Sequence, residues 1–215
     1  MLNTLFPDVP WDLIKCIGFD LDGTLYDEFD TIEQIYRDIL NQQNHFFANR
    51  PATLAFMLTR WLEKGSSYNY IFDEAFDRFS NDPSKKEEFI QDALVLFRNY
   101  DPILSLAERN RYLLGIFRQK FDLFLISDGP PVLQRNKFKA LDLNIFFRPK
   151  QLIFTGDHGQ DFYKPRVDSF YQLARTLKWR YSNKEILYFG DRTVDEEFTR
   201  NLDIHFQKVY NMVPQ

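Results

Sequence analysis

Two aspartates, Asp20 and Asp22, stand one residue apart in the stretch IGFDLDGTLYDE, where an apolar run gives way to a Gly-Thr turn. Two like charges at the end of a buried run repel each other, and neither easily stays ionised there without a counter-ion. If a cation neutralises the pair, one carboxylate can attack as a nucleophile while the other handles protons. The pair therefore predicts that other polar residues lie beside it in the fold.

Polar side chains also follow two other apolar runs of the chain. Ser127 lies at the tip of the apolar run in FDLFLISDG, and Asp191 ends EILYFGD, with Asp195 four residues further on. Lys164 stands in DFYKPRVDSF, just before a helix that we expect Pro165 to start. If the runs are parallel strands, their carboxyl ends share one edge of a sheet, and these groups should converge there.

Several carboxylates can share one site only around a hard cation. Oxygen ligands with room for retained water and for a substrate phosphate suit Mg²⁺. We therefore expect a Mg²⁺ site at this edge, with Asp20 ionised and able to attack phosphorus.

The elements that would position these residues alternate along the chain. Apolar β-branched runs predict strands, and the segments between them have helical periodicity, which indicates an α/β fold with a Rossmann-like, doubly wound parallel sheet. The predicted strands are 14–20, 121–129, 151–156, 185–191 and, more weakly, 206–212, and the predicted helices are 103–119, 131–141, 165–179 and a short one near 195–202.

One region interrupts this alternation. Residues 28–100 contain no convincing strand and predict about four helices, the first over 29–48 and the last over 82–100, with Asp82 as its cap and Pro83 in its first turn. We therefore expect a catalytic core formed by 1–27 and 101–215, with 28–100 inserted as a helical cap domain that acts as a lid.

Composition narrows the function classes. The 215 residues are 44% hydrophobic with a formal net charge of −4, which predicts a globular protein and makes nucleic acid an unlikely partner. The chain shows neither a signal peptide nor an apolar run of ~20 residues, so we expect a cytoplasmic protein without a membrane partner. Cys16 is the lone cysteine, which excludes an intramolecular disulfide. We expect a monomer or a homodimer.

The order and spacing of these residues resemble the four motifs of the haloacid dehalogenase superfamily, from residue 15 to about 210. DLDGT looks like the first motif, and the resemblance implies that Asp20 is the nucleophile. It also implies that Asp22 is the general acid and base and lends its backbone carbonyl to Mg²⁺. LISDG looks like the second motif, in which Ser127 and nearby backbone amides, those of Asp128 and Gly129, bind a phosphoryl oxygen.

The third and fourth motifs are matched further along the chain. Lys164 would balance the charge of Asp20 and the phosphoryl group, and GDRTVD would place Asp191 on the metal and Asp195 on the metal or its waters. Two positions depart from the family pattern: Asp128 stands where Asn is usual, and the lysine continues as KPRVD rather than Lys-Pro-Asp-Pro.

We therefore interpret the protein as a Mg²⁺-dependent phosphatase of a small phosphomonoester, such as a nucleotide or a sugar phosphate, that works through an aspartyl-phosphate. A phosphomutase of a sugar phosphate and a non-catalytic binding module on the same fold stay open as alternatives. A haloacid dehalogenase needs neither Mg²⁺ nor a proton donor, so Asp22 and Asp191 argue against it.

Overall fold

The computed structural model of the protein describes residues 2–215. The chain forms two compact units, of which Phe29–Pro102 is the smaller and the sequence on either side of it forms the larger.

The larger unit contains a six-stranded sheet. Its strands are β1 (Cys16–Phe19), β2 (Asp122–Ser127), β3 (Leu152–Phe154), β4 (Ile186–Gly190), β5 (His205–Tyr210) and β6 (Val213–Pro214). They lie in the order β3-β2-β1-β4-β5-β6. The first five are parallel, and β6 pairs antiparallel with β5. The prediction of an α/β fold with a mainly parallel sheet is confirmed.

Both faces of this sheet are buried. Successive residues of β2 alternate between two apolar clusters, with Leu123 and Leu125 in one and Phe124 and Ile126 in the other. This alternation follows from the two-residue repeat of a strand, and burial on both sides explains the continuous apolar runs. The helices of this unit are α1 (Leu2–Leu5), α6 (Glu108–Lys120), α7 (Pro131–Ala140), α8 (Asp168–Leu177) and α9 (Thr193–Leu202).

The smaller unit contains four α-helices: α2 (Phe29–Gln42), α3 (Arg50–Lys64), α4 (Ile71–Phe79) and α5 (Lys86–Asn99). Its interior is aromatic, with the rings of Phe47 and Phe89 5.0 Å apart and those of Phe76 and Phe89 5.3 Å apart. Within residues 29–102, the only β pairing is an isolated bridge between Phe47 and Ser80.

Helix boundaries differ from the predicted ones at several places. Helix α6 begins at Glu108 rather than at Ile103, because Leu104 and Leu106 pack inward while Ile103 is exposed, an alternation typical of extended chain. Helix α2 ends at Gln42, and a separate short 3₁₀ turn follows over Asn44–Phe46.

The remaining differences concern prolines and caps. Pro165 lies in a turn closed by a hydrogen bond from Arg166 N to Tyr163 O (3.0 Å), so helix α8 begins three residues later, at Asp168. The Asp82 side chain accepts a hydrogen bond from Ser84 N (3.1 Å) and caps a 3₁₀ turn that leads into α5.

Across residues 2–215, no helix has both the length and the apolar character that crossing a bilayer requires.

Candidate active site

The candidate site lies where the sheet changes its direction of winding. Strand β1 is the central strand between β2 and β4, so connections run outward from it on both sides. Ligands of such sheets bind beyond the carboxyl ends of the strands at this point. Asp20 directly follows β1 and Asp191 directly follows β4, and Asp20 N donates a hydrogen bond to Phe189 O of β4 (3.0 Å). The two carboxylates are therefore neighbours because their strands are neighbours.

Lys164 joins the carboxylates from outside the sheet. Its ammonium lies 2.6 Å from Asp20 Oδ1 and 2.5 Å from Asp195 Oδ1, and the side chain is fully buried. Burial opposes its charged form, but the attraction of Asp195 and Asp20 outweighs that effect and holds the pKa of Lys164 well above its ordinary value. The charged form of Lys164 is therefore favoured beside Asp20.

Three carboxylates at this edge can hold a cation. One oxygen each of Asp20, Asp191 and Asp195 lie within 4.8 Å of one another. Asp20 Oδ2 is buried and has no hydrogen-bond partner among the described residues, so it has a lone pair to offer. An all-oxygen set of this kind fits Mg²⁺.

The carboxylates differ in how many of their oxygens are already engaged. Asp195 Oδ1 contacts Lys164, and Asp195 Oδ2 accepts a hydrogen bond from Arg192 N (3.1 Å). The hydrogen bond from Thr24 Oγ1 to Asp191 Oδ1 is long (3.5 Å). Asp20 and Asp191 are therefore better placed as direct ligands than Asp195.

The crowding of negative charge perturbs these groups. Burial is the main reason that the pKa of Asp20 rises to about 7, with Lys164 opposing the rise and Asp195 adding to it. Burial and then repulsion from Asp20 and Asp195 raise the pKa of Asp191 to about 8. A cation at this site would remove the repulsion, since it favours the ionised form of every ligand.

Asp22 has a different environment from Asp20. Its Oδ1 accepts hydrogen bonds from Tyr26 OH (2.5 Å) and Lys137 Nζ (2.7 Å), and its Oδ2 accepts one from Gln134 Nε2 (2.7 Å). Burial would raise the pKa of Asp22, but the charge of Lys137 and these hydrogen bonds lower it below its ordinary value. Without a metal or a substrate, Asp22 is therefore the more acidic carboxyl of the pair, and Asp20 holds its proton more tightly.

The predicted phosphate-binding loop follows β2. Ser127 Oγ is buried and without a hydrogen-bond partner in the described chain. The Asp128 carboxylate is engaged by other residues: it accepts hydrogen bonds from Thr155 Oγ1 (2.8 Å) and Lys164 N (3.2 Å). The unusual aspartate thus braces the backbone that carries Lys164, and phosphate binding by the amides of Asp128 and Gly129 stays a prediction.

Four polar residues near the site have no role in the sequence-based prediction. They are Gln134 and Lys137 on α7, together with Glu28 and Arg192. Burial, followed by repulsion from Asp22, raises the pKa of Glu28 to about 7. Burial opposes the charged form of Arg192, yet the nearby carboxylates, Asp20 first among them, raise its pKa above its ordinary value.

The sequence indicates only two of these residues, Gln134 and Lys137. Gln134 and Lys137 are three residues apart on a helix that directly follows a site loop, so they share a helix face. Lys137 also falls between Leu133 and Leu141, four residues away on either side, at a position where a buried apolar residue would continue the pattern.

Comparison with known proteins gives a match to one family of hydrolases. The family model for haloacid dehalogenase-like hydrolases matches residues 14–203. No curated protein gives a significant sequence match.

Solved structures share the fold at low sequence identity. A haloacid dehalogenase (HAD) superfamily hydrolase of subfamily IA, variant 1, from Geobacter sulfurreducens is 17% identical, with a TM-score of 0.68 over 91% of this chain and 87% of that one. A proposed HAD hydrolase from Bacillus subtilis, bound to magnesium, is 19% identical with a TM-score of 0.64 over 91% and 88%. A proposed β-phosphoglucomutase from Thermotoga maritima is 15% identical with a TM-score of 0.63 over 91% and 85%.

Proposed function

This chain belongs to the haloacid dehalogenase-like hydrolases, and from that premise we propose that it is a Mg²⁺-dependent phosphatase of a small phosphomonoester. The observation that carries the proposal is the buried Asp20 carboxylate. One of its oxygens contacts the Lys164 ammonium, and the other is buried without a hydrogen-bond partner in residues 2–215. One Asp20 oxygen also lies within 4.8 Å of one oxygen each of Asp191 and Asp195.

The proposed reaction has two steps. In the first, an Asp20 oxygen forms a bond to phosphorus while the bond from phosphorus to the ester oxygen breaks, and the leaving alkoxide takes a proton from Asp22. In the second, water attacks the aspartyl-phosphate at phosphorus and gives its proton to Asp22. Asp20 is regenerated and inorganic phosphate leaves.

The other residues of the site would bind Mg²⁺ and orient the phosphoryl group. Asp20, Asp191 and the backbone carbonyl of Asp22 would hold Mg²⁺, with Asp195 on the metal or, since its oxygens are engaged, on a metal-bound water. When bound, the cation would supply charge neutralisation between Asp20 and the phosphoryl group. Ser127 Oγ, Lys164 Nζ and the amides of Asp128 and Gly129 would bind the phosphoryl oxygens.

Hydrolysis is favoured over a non-catalytic role because Asp20 and Asp22, the two groups that take part in both steps, are present and buried. Phosphoryl transfer to a sugar hydroxyl, as in a phosphomutase, would use the same first step, so the assay must separate free phosphate from an isomerised ester.

The test is turnover of a panel of phosphate esters by purified protein, with Mg²⁺ and with EDTA. We expect release of inorganic phosphate that EDTA abolishes and Mg²⁺ restores. Asp20→Asn should abolish both turnover and a covalent adduct detectable by mass spectrometry, and Asp22→Asn should slow turnover roughly 10²–10⁴-fold.

Asp12→Asn makes the same chemical change at an exposed position and serves as the control. Full turnover in excess EDTA, or an adduct on a residue other than Asp20, would show that the proposed function is wrong.

A further inference from the structure

We propose that Lys137, Gln134 and Tyr26 form a clamp that sets the orientation of the Asp22 carboxylate, and that they act on catalysis only through Asp22. This inference rests on the proposed function, in which Asp22 is the general acid and base. The three are positioning residues, and Lys137 is the principal one.

The clamp engages both oxygens of Asp22 in an uneven way. Oδ1 takes two donors, Lys137 Nζ at 2.7 Å and Tyr26 OH at 2.5 Å, whereas Oδ2 takes one, Gln134 Nε2 at 2.7 Å. A carboxylate offers about four lone-pair sites, two on each oxygen. Oδ1 is therefore saturated, and Oδ2 is the oxygen left to carry a proton to or from the reacting group.

Lys137 has little reason to be buried apart from this contact. Its side chain is 4% exposed, and Asp22 is the carboxylate with which it forms an ion pair. Lysines are almost never buried without a partner, and an isolated buried ammonium is costly. Leu133 and Leu141, four residues before and after, are buried apolar residues, so packing alone would favour a leucine at position 137.

Gln134 connects the two loops of the site. Its Nε2 donates both to Asp22 Oδ2 and to the carbonyl oxygen of Asp128 (2.6 Å). The reverse amide orientation would turn Oε1 toward two acceptors, so the hydrogen-bond network determines which way the amide faces. Gly129 makes room for it, because a Cβ at that position would lie 2.5 Å from Nε2.

The clamp matters because proton transfer requires the acid to lie within hydrogen-bond reach of the leaving oxygen. A carboxylate freed from its donors would sample other rotamers and lose that geometry. The resulting fall in kcat/KM should be large for an ester whose leaving group needs a proton. It should be small for an ester whose leaving group departs as a stable anion.

The first experiment compares kcat/KM for an alkyl phosphate and for p-nitrophenyl phosphate, since kcat/KM covers only the steps up to departure of the leaving group. For Lys137→Met we expect a fall of about 10–100-fold with the alkyl ester and a clearly smaller fall with the nitrophenyl ester. Lys139→Met, an exposed lysine on the same helix, should match the wild type with both. Equal losses with the two esters would overturn the proposal.

The second experiment asks whether Lys137 acts through Asp22. In an Asp22→Asn background, adding Lys137→Met should cause no further loss with the alkyl ester, because the group that it positions is already inactive. A loss that multiplies in full with that of Asp22→Asn would assign Lys137 a separate role and overturn the clamp.

A third measurement uses another variant in case Lys137→Met does not fold. It also distinguishes failure of the clamp from failure of the proposed phosphatase function. Tyr26→Phe removes one donor and keeps the ring, so it should show the same leaving-group bias at smaller size even if Lys137→Met does not fold. Crystal structures of these variants should show a rotated Asp22 side chain, and an unmoved carboxylate would count against the clamp. Absence of wild-type turnover on every ester would instead refute the proposed function and leave this structural test intact.

Discussion

Protons and Mg²⁺ should compete for the carboxylates at the end of β1 and β4. The pKa of Asp20 is raised to about 7 and that of Asp191 to about 8, in both cases chiefly by burial. Metal ligands bind in their deprotonated form. Lowering the pH from 8 to 6 should therefore weaken Mg²⁺ binding, although ordinary aspartates stay ionised throughout that range.

The size of the effect follows from the two pKa values. Because Asp20 and Asp191 repel each other, they titrate as a pair: most of the protein holds both protons at pH 6 and has lost at least one at pH 8. The apparent Kd for Mg²⁺ should therefore rise by about two to three orders of magnitude, or about 3–4 kcal/mol.

Isothermal titration calorimetry in buffers of different ionisation enthalpy measures both the affinity and the protons released. We expect release of less than about one proton per Mg²⁺ at pH 8 and of between about one and two at pH 6. Asp12→Asn should behave as the wild type does. An affinity that changes less than about 10-fold between the two pH values, or binding without proton release, would refute the reasoning.

In the metal-free protein, the raised pKa values of Asp20 and Asp191 also make the free energy of unfolding depend on pH. The folded state holds these protons more tightly than the unfolded chain, so ionising Asp20 and Asp191 costs stability. The metal-free protein should thus lose stability as the pH rises from 6 to 8, and a thermal melt series in EDTA would show it.

Two substitutions test the same site through stability. Lys164→Met should lower the free energy of unfolding of the metal-free protein at pH 8 by about 3–5 kcal/mol, because it leaves the buried Asp20 and Asp195 without their cation. Chemical denaturation with and without Mg²⁺ should show partial recovery with the metal, and a loss no larger than that of Lys139→Met would contradict the assignment. Gly23→Ala should cost about 1–3 kcal/mol, because Gly23 has φ of +71° and a Cβ there would overlap Asp191 Oδ2. Calorimetry should also show weaker Mg²⁺ binding by this variant, and unchanged stability and affinity would refute the account.

Much of the architecture could be predicted from local sequence. Apolar runs that end in a turn predict buried strands, and alternation with helices predicts a mainly parallel sheet, which the structure confirms. Parallel strands bring their carboxyl ends to one edge. For this reason the sequence predicts that Asp20, Ser127 and Asp191 lie near one another.

The starts of two helices could not be predicted in the same way. Ile103–Leu106 has apolar residues at spacings that fit either a helix or an extended segment, and burial against the core decides for the extended form. Pro165 is compatible with a first helical turn and with an ordinary turn, and the hydrogen bond from Arg166 N to Tyr163 O makes it the latter.

The sequence by itself determined the strands and helices of the α/β core and the polar residues at the ends of its strands, because both follow from residue type and from neighbours in the chain. Only the tertiary structure decided which donor each oxygen receives. Lys137 lies 115 residues from Asp22, and Asp128 braces Lys164 across 36 residues. Such pairings depend on how α7 and the loop before α8 pack on the sheet, and a hydrogen bond needs atoms placed to within tenths of an ångström. Residue spacing along the chain does not contain that information.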